Sequence, residues 1–180
     1  MKTLKTQRLT LRLWKQSDLD DFFEYAGVPG VGEMAGWPHH TDKEVSAGIL
    51  QGFIDEGDEY AIVLKENKKV IGSLGLHNRT KDPDFKADVQ RTIGYVLGKE
   101  YWGQGLAAEA AQAAIKYAFE KLRVDVLWCA HFTENIQSKR VIEKCGFVFY
   151  GKGTVEAKLL NKTFDEMLYI MTKNDYKALI

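Results

Sequence analysis

The sequence predicts a mixed α/β fold in which one sheet carries helices on its faces. Seven stretches have strand patterns, four have helix patterns, and they follow one another as β-α-α-β-β-β-α-β-α-β-β. The 180 residues, 45% of them hydrophobic, suffice for a substantial core and exclude a disordered chain. Because the sequence has no linker, repeat or low-complexity tract, we expect a single domain over residues 1–180.

In the first half of the chain, alternating apolar residues indicate strands and capping residues indicate helices. Ser17 is expected to cap one helix, and the pattern Thr41-x-x-Glu44 is typical of a capping box at the start of another. The segments assigned here are strands at 7–14, 60–64, 70–76 and 89–97, helices at 17–25 and 41–55, a loop at 27–32, and turns at 66–68 and 81–84.

In the second half, the most regular pattern is the alanine-rich stretch at 106–121, whose small side chains favour a closely packed helix. Gly146 is expected to end a second helix in the left-handed conformation. The segments assigned here are helices at 106–121 and 135–145, strands at 125–130, 147–157 and 163–171, and a short last helix at 173–179.

Composition excludes several classes of function. Lys plus Arg and Asp plus Glu are 25 each, so the net charge is zero, which argues against general affinity for nucleic acid. The apolar runs are far shorter than the roughly 20 residues of a membrane helix, and residues 1–6 lack the apolar segment of a secretory signal. Cys129 and Cys145 form no disulfide framework, so reduced thiols in a cytoplasmic protein without a membrane partner are expected.

The most informative stretch follows the strand at 89–97, where Gly103 and Gly105 precede the alanine-rich helix. A helix N-terminus presents free backbone N–H groups and the positive end of the helix dipole to an anion. Residues without a Cβ let a phosphate approach that backbone closely. We therefore expect a phosphorylated cofactor here; the alternative is that the glycines only form a tight turn with close helix packing.

Two known phosphate-binding motifs do not fit this loop. Residues 103–108 match G-x-G-x-x-A, but residues 98–102 separate the first glycine from the strand, which the dinucleotide fingerprint does not allow. That fingerprint also needs an acidic residue about 20 residues on at a strand end, whereas Asp125 begins its strand. A P-loop is excluded because no Lys-Ser/Thr pair follows the glycines.

A second informative group of residues lies at 135–147. Asn135 and Ser138 are three residues apart, so they share one face at the N-terminal end of a helix. The simpler interpretation of Asn135 is an N-cap, and the two roles are compatible.

With both stretches taken together, the chain resembles the GNAT superfamily of acetyl-CoA-dependent N-acetyltransferases. Within it, the chain is most similar to the RimJ/RimL-like branch, which acetylates protein N-terminal or small-molecule amines. The form Y-W-G-x-G-x-A-x-E-A at 101–110 is typical of that branch, and N-x-x-S-x-R-V-x-E-K-x-G-F matches 135–147 closely. The first strand at 4–12 and the residues at 166–169 also match, so the likeness spans roughly the whole chain.

The resemblance implies a fold and a cofactor. The fold is a mostly antiparallel seven-stranded sheet flanked by about four helices and splayed at its central strands, with a bulge at 95–97. The cofactor is acetyl-CoA, whose pyrophosphate binds backbone N–H groups after the glycines. Its pantetheine and thioester oxygen bind N–H groups freed around Val96 or Leu97. The cofactor-binding residues implied are Tyr95, Val96, Leu97, Trp102, Gly103, Gln104, Gly105, Leu106, Ala107, Ala108, Asn135, Ser138 and Arg140.

Two positions depart from the family pattern. Trp102 stands where Gln or Arg is usual. Many members carry a tyrosine seven residues after the asparagine as general acid for the departing thiolate, and here that position is Ile142, which has no proton to give. Ser138 replaces the usual alanine, and its hydroxyl is expected to contact the coenzyme sulfur.

Four residues are assigned catalytic roles. The resemblance implies Ser138 for the thiolate and Asn135 for the pantetheine amide or a water at the acetyl group. The base that deprotonates the amine is sought in Glu33 or His77, whose structural alternatives are a solvated loop carboxylate and a hydrogen-bonded histidine at a sheet edge. Glu109, a third possible base, is assigned a structural role in the first turn of its helix.

The acceptor side is assigned to the loop between the first two helices. Trp37, a large aromatic residue in a glycine-rich loop, is expected to line the acceptor pocket together with Glu33 and His77. The alternative is a flexible surface loop. His39 and His40 have no further Cys or His at metal-ligand spacing, so no metal is expected.

The expected function is transfer of an acetyl group from acetyl-CoA to a primary amine by direct attack in a ternary complex. The amine is a protein N-terminus, as in ribosomal-protein acetylation, or a small molecule. A non-catalytic acetyl-CoA-binding homologue or sensor is the alternative, because the usual tyrosine acid is absent. Exposed edge strands in such sheets often pair, so a homodimer is among the expected assemblies.

Overall fold

The computed structural model describes residues 1–179 except 81, 83, 84 and 86. The strands are β1 (Leu4–Lys5), β2 (Leu9–Leu13), β3 (Glu59–Leu64), β4 (Val70–Asn78), β5 (Gln90–Leu97), β6 (Val126–Phe132), β7 (Val148–Ala157) and β8 (Lys162–Thr172). The α-helices are α1 (Leu19–Ala26), α2 (Lys43–Glu56), α3 (Leu106–Glu120), α4 (Ile136–Lys144) and α5 (Lys173–Leu179). Among these described helices, none is long and apolar enough to cross a membrane.

The described residues form eight strands and five α-helices, one of each more than the seven strands and about four helices expected from the sequence. The additional strand is β1, which pairs with β2 over two residues and is too short to leave a pattern in the sequence. The additional helix is α5, which the sequence analysis places at the same residues. The predicted turn at 81–84 lies largely outside the described residues.

The predicted helix caps need two corrections. Asp42, not Thr41, caps α2, since its side chain accepts a hydrogen bond from the Val45 N–H at 2.9 Å. Ser17 lies inside a short 3-10 turn at 16–18, and α1 begins only after it. An aspartate is as good an N-cap as a threonine, so the sequence pattern alone did not distinguish the two neighbouring residues.

The strands form one sheet in the order β1-β2-β3-β4-β5-β6-β8-β7. All neighbouring pairs are antiparallel except β5 and β6, which are parallel. Their pairing covers only Gln90–Thr92 against Val126–Trp128, and beyond it the two strands are no longer partners. The expected splay at the central strands is therefore confirmed.

The expected bulge at 95–97 is not found. The β4–β5 pairing keeps one register from Gly72↔Leu97 to Asn78↔Arg91, without a shift. The backbone of β5 becomes available to a ligand because β6 leaves it, so no extra residue is needed in the strand.

The sheet separates two apolar layers. On the α3 face, covered by α3 and α4, Ala110, Ala114 and Ala118 are fully buried, as their small size predicts. On the α1 face, covered by α1 and α2, Phe22 and Leu50 pack in a second cluster. The fold thus has three layers, and the gap between β5 and β6 connects the two faces of the sheet.

Replacing Gly72 should test how closely β4 and β5 approach. A Cβ on Gly72 would lie 2.1 Å from the Val96 carbonyl oxygen and 2.9 Å from the Leu97 Cα. Gly72→Ala is therefore expected to lower the free energy of unfolding by about 1–3 kcal/mol in urea denaturation. Gly94→Ala is the matched control, because a Cβ at Gly94 meets nothing within 4 Å. Equal stability of the two variants would contradict this close approach.

Candidate active site

A cleft of about 1210 Å³ lies where β5 and β6 stop pairing. Tyr95 of β5 and residues 129–132 of β6 form its sides. It is lined from the α3 face by Ser138 and from the α1 face by Phe22 and Phe53. One cleft therefore extends through the plane of the sheet, so molecules bound on the two faces can meet in the gap.

The glycine loop forms one end of this cleft. Gly103 and Gly105 both have left-handed backbones, with φ of +74° and +75°, and Gly105 is the N-cap residue of α3. The first intrahelical bond runs from the Glu109 N–H to the Gly105 carbonyl, so the N–H groups of 106–108 precede the hydrogen-bond ladder of the helix. Such N–H groups, together with the helix dipole, suit a phosphate.

Two predicted cofactor-binding residues, Gln104 and Ala108, do not line the cleft with their neighbours. The Gln104 side chain donates instead to the Glu100 carbonyl at 2.9 Å, and Ala108 is buried. Any contact they make with a ligand is therefore through the backbone.

An ion pair holds the glycine loop against the residues that directly precede β2. Glu109 accepts hydrogen bonds from the Thr6 hydroxyl at 2.6 Å and from the backbone and side chain of Arg8, both at 2.7 Å. Arg8 also donates to the Gln104 carbonyl at 3.0 Å. Burial alone would raise the pKa of Glu109, but these hydrogen bonds outweigh it and lower the pKa. Glu109 thus has the structural role assigned to it, which is to fix the loop.

Three cationic side chains line the same cleft. Arg140 and Lys144 are both positions of the family motif, although only Arg140 was assigned to the cofactor, whereas Lys99 lies outside that motif. Because cations and helix N-termini both attract phosphate, the cleft suits a polyphosphate ligand.

The open edge of β5 can be assigned residue by residue. Gly98 donates to the Ile71 carbonyl at 2.8 Å, and the Gln90 carbonyl accepts from Arg79 at 3.2 Å. Because backbone groups alternate along an antiparallel strand, the Val96 N–H faces β4 and the Leu97 N–H faces the gap. Of the two N–H groups suggested from the sequence, that of Leu97 is the one directed into the gap.

Asn135 and Ser138 lie together at the start of α4. The Asn135 Oδ1 accepts from the Ser138 N–H at 3.0 Å, which makes Asn135 the N-cap of α4. Its Nδ2 donates to the Met34 carbonyl at 3.3 Å. Asn135 therefore connects α4 to the loop that precedes α2.

A tyrosine hydroxyl lies beside Ser138, which the sequence did not indicate. The Tyr95 phenol oxygen is 3.0 Å from the Ser138 Oγ and 3.2 Å from the Ser138 carbonyl. Burial raises the pKa of Tyr95 well above its usual range, so the phenol remains protonated. Ile142, at the position of the usual tyrosine acid, is buried in the core with 1% exposure. Tyr95 of β5 thus places a phenol beside α4, which carries an isoleucine at position 142.

Glu33 fixes its own loop. It accepts hydrogen bonds from the Gly30 N–H at 2.7 Å, the His39 N–H at 3.1 Å and the His39 ring at 2.8 Å. Burial alone would raise the pKa of Glu33, but these bonds outweigh it and lower the pKa to about 2. Glu33 does not line the cleft, whereas Trp37 does and packs over Gly32. A carboxylate so strongly held as an anion is a weak proton acceptor.

His77 lies in the cleft between two carboxylates. Its Nδ1 is 2.9 Å from Asp58 Oδ2, and its Nε2 is 3.4 Å from Glu59 Oε2. Glu59 also lines the cleft and is only 8% exposed. Burial raises the pKa of Glu59 to about 7, against the opposing effects of His77 and Ser73. Glu59 was not a candidate from the sequence, where it appears only as an acidic residue before a strand.

Comparison with known proteins agrees with this geometry. Residues 8–148 match the acetyltransferase (GNAT) domain family. The chain is 29% identical over 181 residues to the uncharacterized N-acetyltransferase p20 of Bacillus licheniformis, with 98% of this chain and 99% of that protein covered.

Solved structures share the fold. The GNAT-family acetyltransferase from Bacillus anthracis superposes with a TM-score of 0.83 at 23% identity, covering 96% of this chain and 99% of that one. Ribosomal-protein-S5-alanine acetyltransferase from Vibrio fischeri superposes with a TM-score of 0.75 at 21% identity, covering 98% and 99%. The match to the domain family spans most of the chain, and its members use acetyl-CoA; the chain belongs to the GNAT family of N-acetyltransferases.

Proposed function

We propose that the protein transfers the acetyl group of acetyl-CoA to a primary amine by direct attack within a ternary complex. The observation that carries the proposal is the single cleft lined from both faces of the sheet. The coenzyme enters along the α3 face and the amine along the α1 face, and they meet where β5 and β6 separate. Both substrates can then be bound at once, as direct transfer requires.

The coenzyme is held mainly by backbone groups. The N–H groups at the start of α3 bind the pyrophosphate, assisted by Lys99, Arg140 and Lys144. The Leu97 N–H, in the gap, binds the pantetheine or the thioester oxygen. Asn135, whose Oδ1 and Nδ2 are engaged by the protein, contributes by holding α4 in place.

Ser138 protonates the thiolate that leaves. Its hydroxyl lies at the α4 end of the cleft and is hydrogen-bonded to the protonated Tyr95 phenol. The phenol orients the serine hydroxyl and stabilises the charge that develops on it. The absence of the usual tyrosine favours the alternative of a non-catalytic acetyl-CoA-binding homologue. The Ser138–Tyr95 pair removes this objection, because it provides another proton donor.

The amine binds in an apolar chamber on the α1 face. Phe22, Trp37, Ile49 and Phe53 line this part of the cleft. Such a lining favours an amine with an apolar substituent, either on a small molecule or at a protein N-terminus. The likeness to the S5-alanine acetyltransferase is a likeness of fold, and an alanyl N-terminus is small enough to be tested beside small amines.

Thiol release from acetyl-CoA in the presence of amines tests this function. The panel is 2-phenylethylamine, spermidine and a hexapeptide with an N-terminal alanine. Turnover with any of them, with formation of the acetylated product, supports the enzyme. Tight acetyl-CoA binding without turnover across a broad panel of amines would favour the non-catalytic alternative.

A side chain on Gly105 should block the coenzyme. The nearest atom to a Cβ at Gly105 is the Arg8 Nη2 at 3.8 Å, so a valine fits but extends to where the phosphates bind. Gly105→Val is expected to weaken acetyl-CoA binding in calorimetry by roughly tenfold or more, equivalent to about 1.4 kcal/mol.

Gly57→Val is the control for backbone strain. Gly57 ends α2 with a φ of +65° and nothing within 4 Å of its Cβ position. Both valines carry the left-handed strain of about 1–2 kcal/mol, and only the one at 105 should change coenzyme affinity. Unchanged affinity in Gly105→Val would refute the assignment of the loop.

Ser138→Ala should lower kcat roughly 100-fold while leaving the Kd of acetyl-CoA unchanged, because a general acid acts in the transition state. Lys139→Ala is the control on the same helix, where the lysine pairs with Glu143 at 3.7 Å. Steady-state kinetics with the best amine of the panel gives the answer. If kcat is the same in Ser138→Ala and in the parent, the serine has no catalytic role.

A further inference from the structure

Two glycines, Gly75 and Gly94, lie next to Glu59 on neighbouring strands of the sheet. Glu59 pairs with Gly75 across β3 and β4, and Gly75 pairs with Gly94 across β4 and β5, so all three belong to the α1 face. A Cβ on Gly75 would lie 2.1 Å from Glu59 Oε2, and a Cβ on Gly94 would meet nothing within 4 Å. The Glu59 carboxyl group and the His77 ring occupy the space over Gly75, where a Cβ would also lie 2.1 Å from His77 Nε2. The open space lies over Gly94, which lines the cleft together with Glu59 and His77.

One oxygen of this carboxyl group has no protein donor. Glu59 Oε2 is buried and makes no hydrogen bond within the part of the chain that the structure describes. The nearest basic atom is His77 Nε2 at 3.4 Å. Buried polar atoms are normally satisfied, so this enclosed oxygen beside the imidazole is suited to sharing a proton with His77. The Glu59 side chain is 10% exposed and lines the cleft, so a ligand that donates a proton can reach it there. An ammonium or amine group is such a donor.

We propose that Glu59 accepts the proton from the incoming amine, that Asp58 orients His77, and that His77 positions Glu59 and carries the proton to solvent. The proposal rests on the acetyl transfer proposed above and names the base for it. Of the two candidates from the sequence, Glu33 is tied to its loop outside the cleft lining, and His77 becomes a positioning residue rather than the base.

The transfer of protons and electrons balances with these groups. The Glu59 carboxylate takes one proton from the ammonium, and the free amine attacks the thioester carbonyl. The C–N bond forms and the C–S bond breaks, with the electron pair leaving on sulfur. Ser138 gives the thiolate its proton, and the second proton lost by the nitrogen replaces it. The products are the acetylated amine, free coenzyme A and one proton released to solvent.

His77 provides the path for that last proton. Asp58 Oδ2, 2.9 Å from Nδ1, favours the tautomer in which Nδ1 carries the hydrogen and Nε2 is free to accept. Nε2 faces Glu59, and the imidazole side chain is 47% exposed. A proton taken up by Glu59 can therefore pass to His77 and then to water.

The charges around Glu59 suit a base that works near neutral pH. Glu56 of α2 and the adjacent Asp58 disfavour its ionisation, whereas His77 and Ser73 of β4 favour it. Tyr25 of α1 is neutral, since burial raises its pKa above the usual range. Burial dominates and sets the Glu59 pKa at about 7, where a general base is most effective.

The test compares Glu59→Gln with Glu56→Gln in thiol-release assays with acetyl-CoA and the most active of 2-phenylethylamine, spermidine and the alanyl hexapeptide. For the parent, kcat/KM is expected to rise with pH through about 7. Glu59→Gln should lose roughly 100-fold or more of kcat/KM at pH 7 and lack this rise, with unchanged acetyl-CoA affinity. Glu56→Gln, which removes an exposed carboxylate nearby, should keep the maximal rate and move the rise slightly to lower pH.

Thermal unfolding gives a readout independent of turnover. The pKa of Glu59 is raised from 4.5 to about 7 in the folded protein, so folding favours the protonated group. Its contribution to stability is present below pH 4.5 and is lost as pH rises towards 7. Glu59→Gln is therefore expected to raise Tm at pH 8 relative to the parent and to leave it nearly unchanged at pH 4.5.

The outcomes separate this inference from the function on which it rests. A parent that turns over an amine, with Glu59→Gln equally active at every pH, overturns the assignment of Glu59 and leaves the function intact. A parent that binds acetyl-CoA but acetylates no amine overturns the function and the base with it. Should Glu59→Gln fail to fold, the pH profile of the parent decides. A parent kcat/KM that does not rise near pH 7 contradicts the proposal. His77→Gln should move that rise to higher pH, which loss of packing alone would not do.

Discussion

The short pairing between β5 and β6 is the constraint on which the site depends. Three residues of each strand are partners, and the strands then separate in the middle of the sheet. Unpaired backbone groups inside a fold are costly, so the opening must be held from both sides. Seven residues of β4 pair with β5, and seven of β6 pair with β8. These two continuous ladders keep the gap open and leave the Leu97 N–H available to a ligand.

Three carboxyl groups around the site differ in what they cost the fold. Glu33 and Glu109 are carboxylates whose hydrogen bonds are all supplied by the protein, and both stabilise loops. Glu59 is a buried carboxyl group in the cleft, with one unpartnered oxygen and with His77 and Gly75 as neighbours. Glu59 therefore has a buried oxygen without a hydrogen bond, whereas Glu33 and Glu109 are hydrogen-bonded to the protein. A carboxyl group that the fold leaves unsatisfied is typical of a functional site.

The sequence predicted the features that depend on local signals. The alanine pattern indicated α3, Gly105 marked the start of that helix, and Asn135 was expected as the N-cap that it is. Contacts between distant residues were not predictable in this way. Tyr95 and Ser138 are 43 residues apart and meet only in the folded chain, where the tyrosine of β5 reaches the first turn of α4. Glu59 reaches His77 through the register of β3 and β4, and a single glutamate before a strand resembles any surface carboxylate.

The amide of Asn135 has a thermodynamic consequence for the two substrates. One end of this side chain caps α4, which faces the coenzyme, and the other end binds the Met34 carbonyl in the loop that carries Trp37. In the proposed complex, an acceptor that displaced this loop would strain the cap and so change the affinity for the coenzyme. Because coupling free energies are reciprocal, coenzyme binding changes the affinity for the acceptor by the same factor. In the proposed ternary complex, a single side chain would thus couple the two binding events before any bond is made.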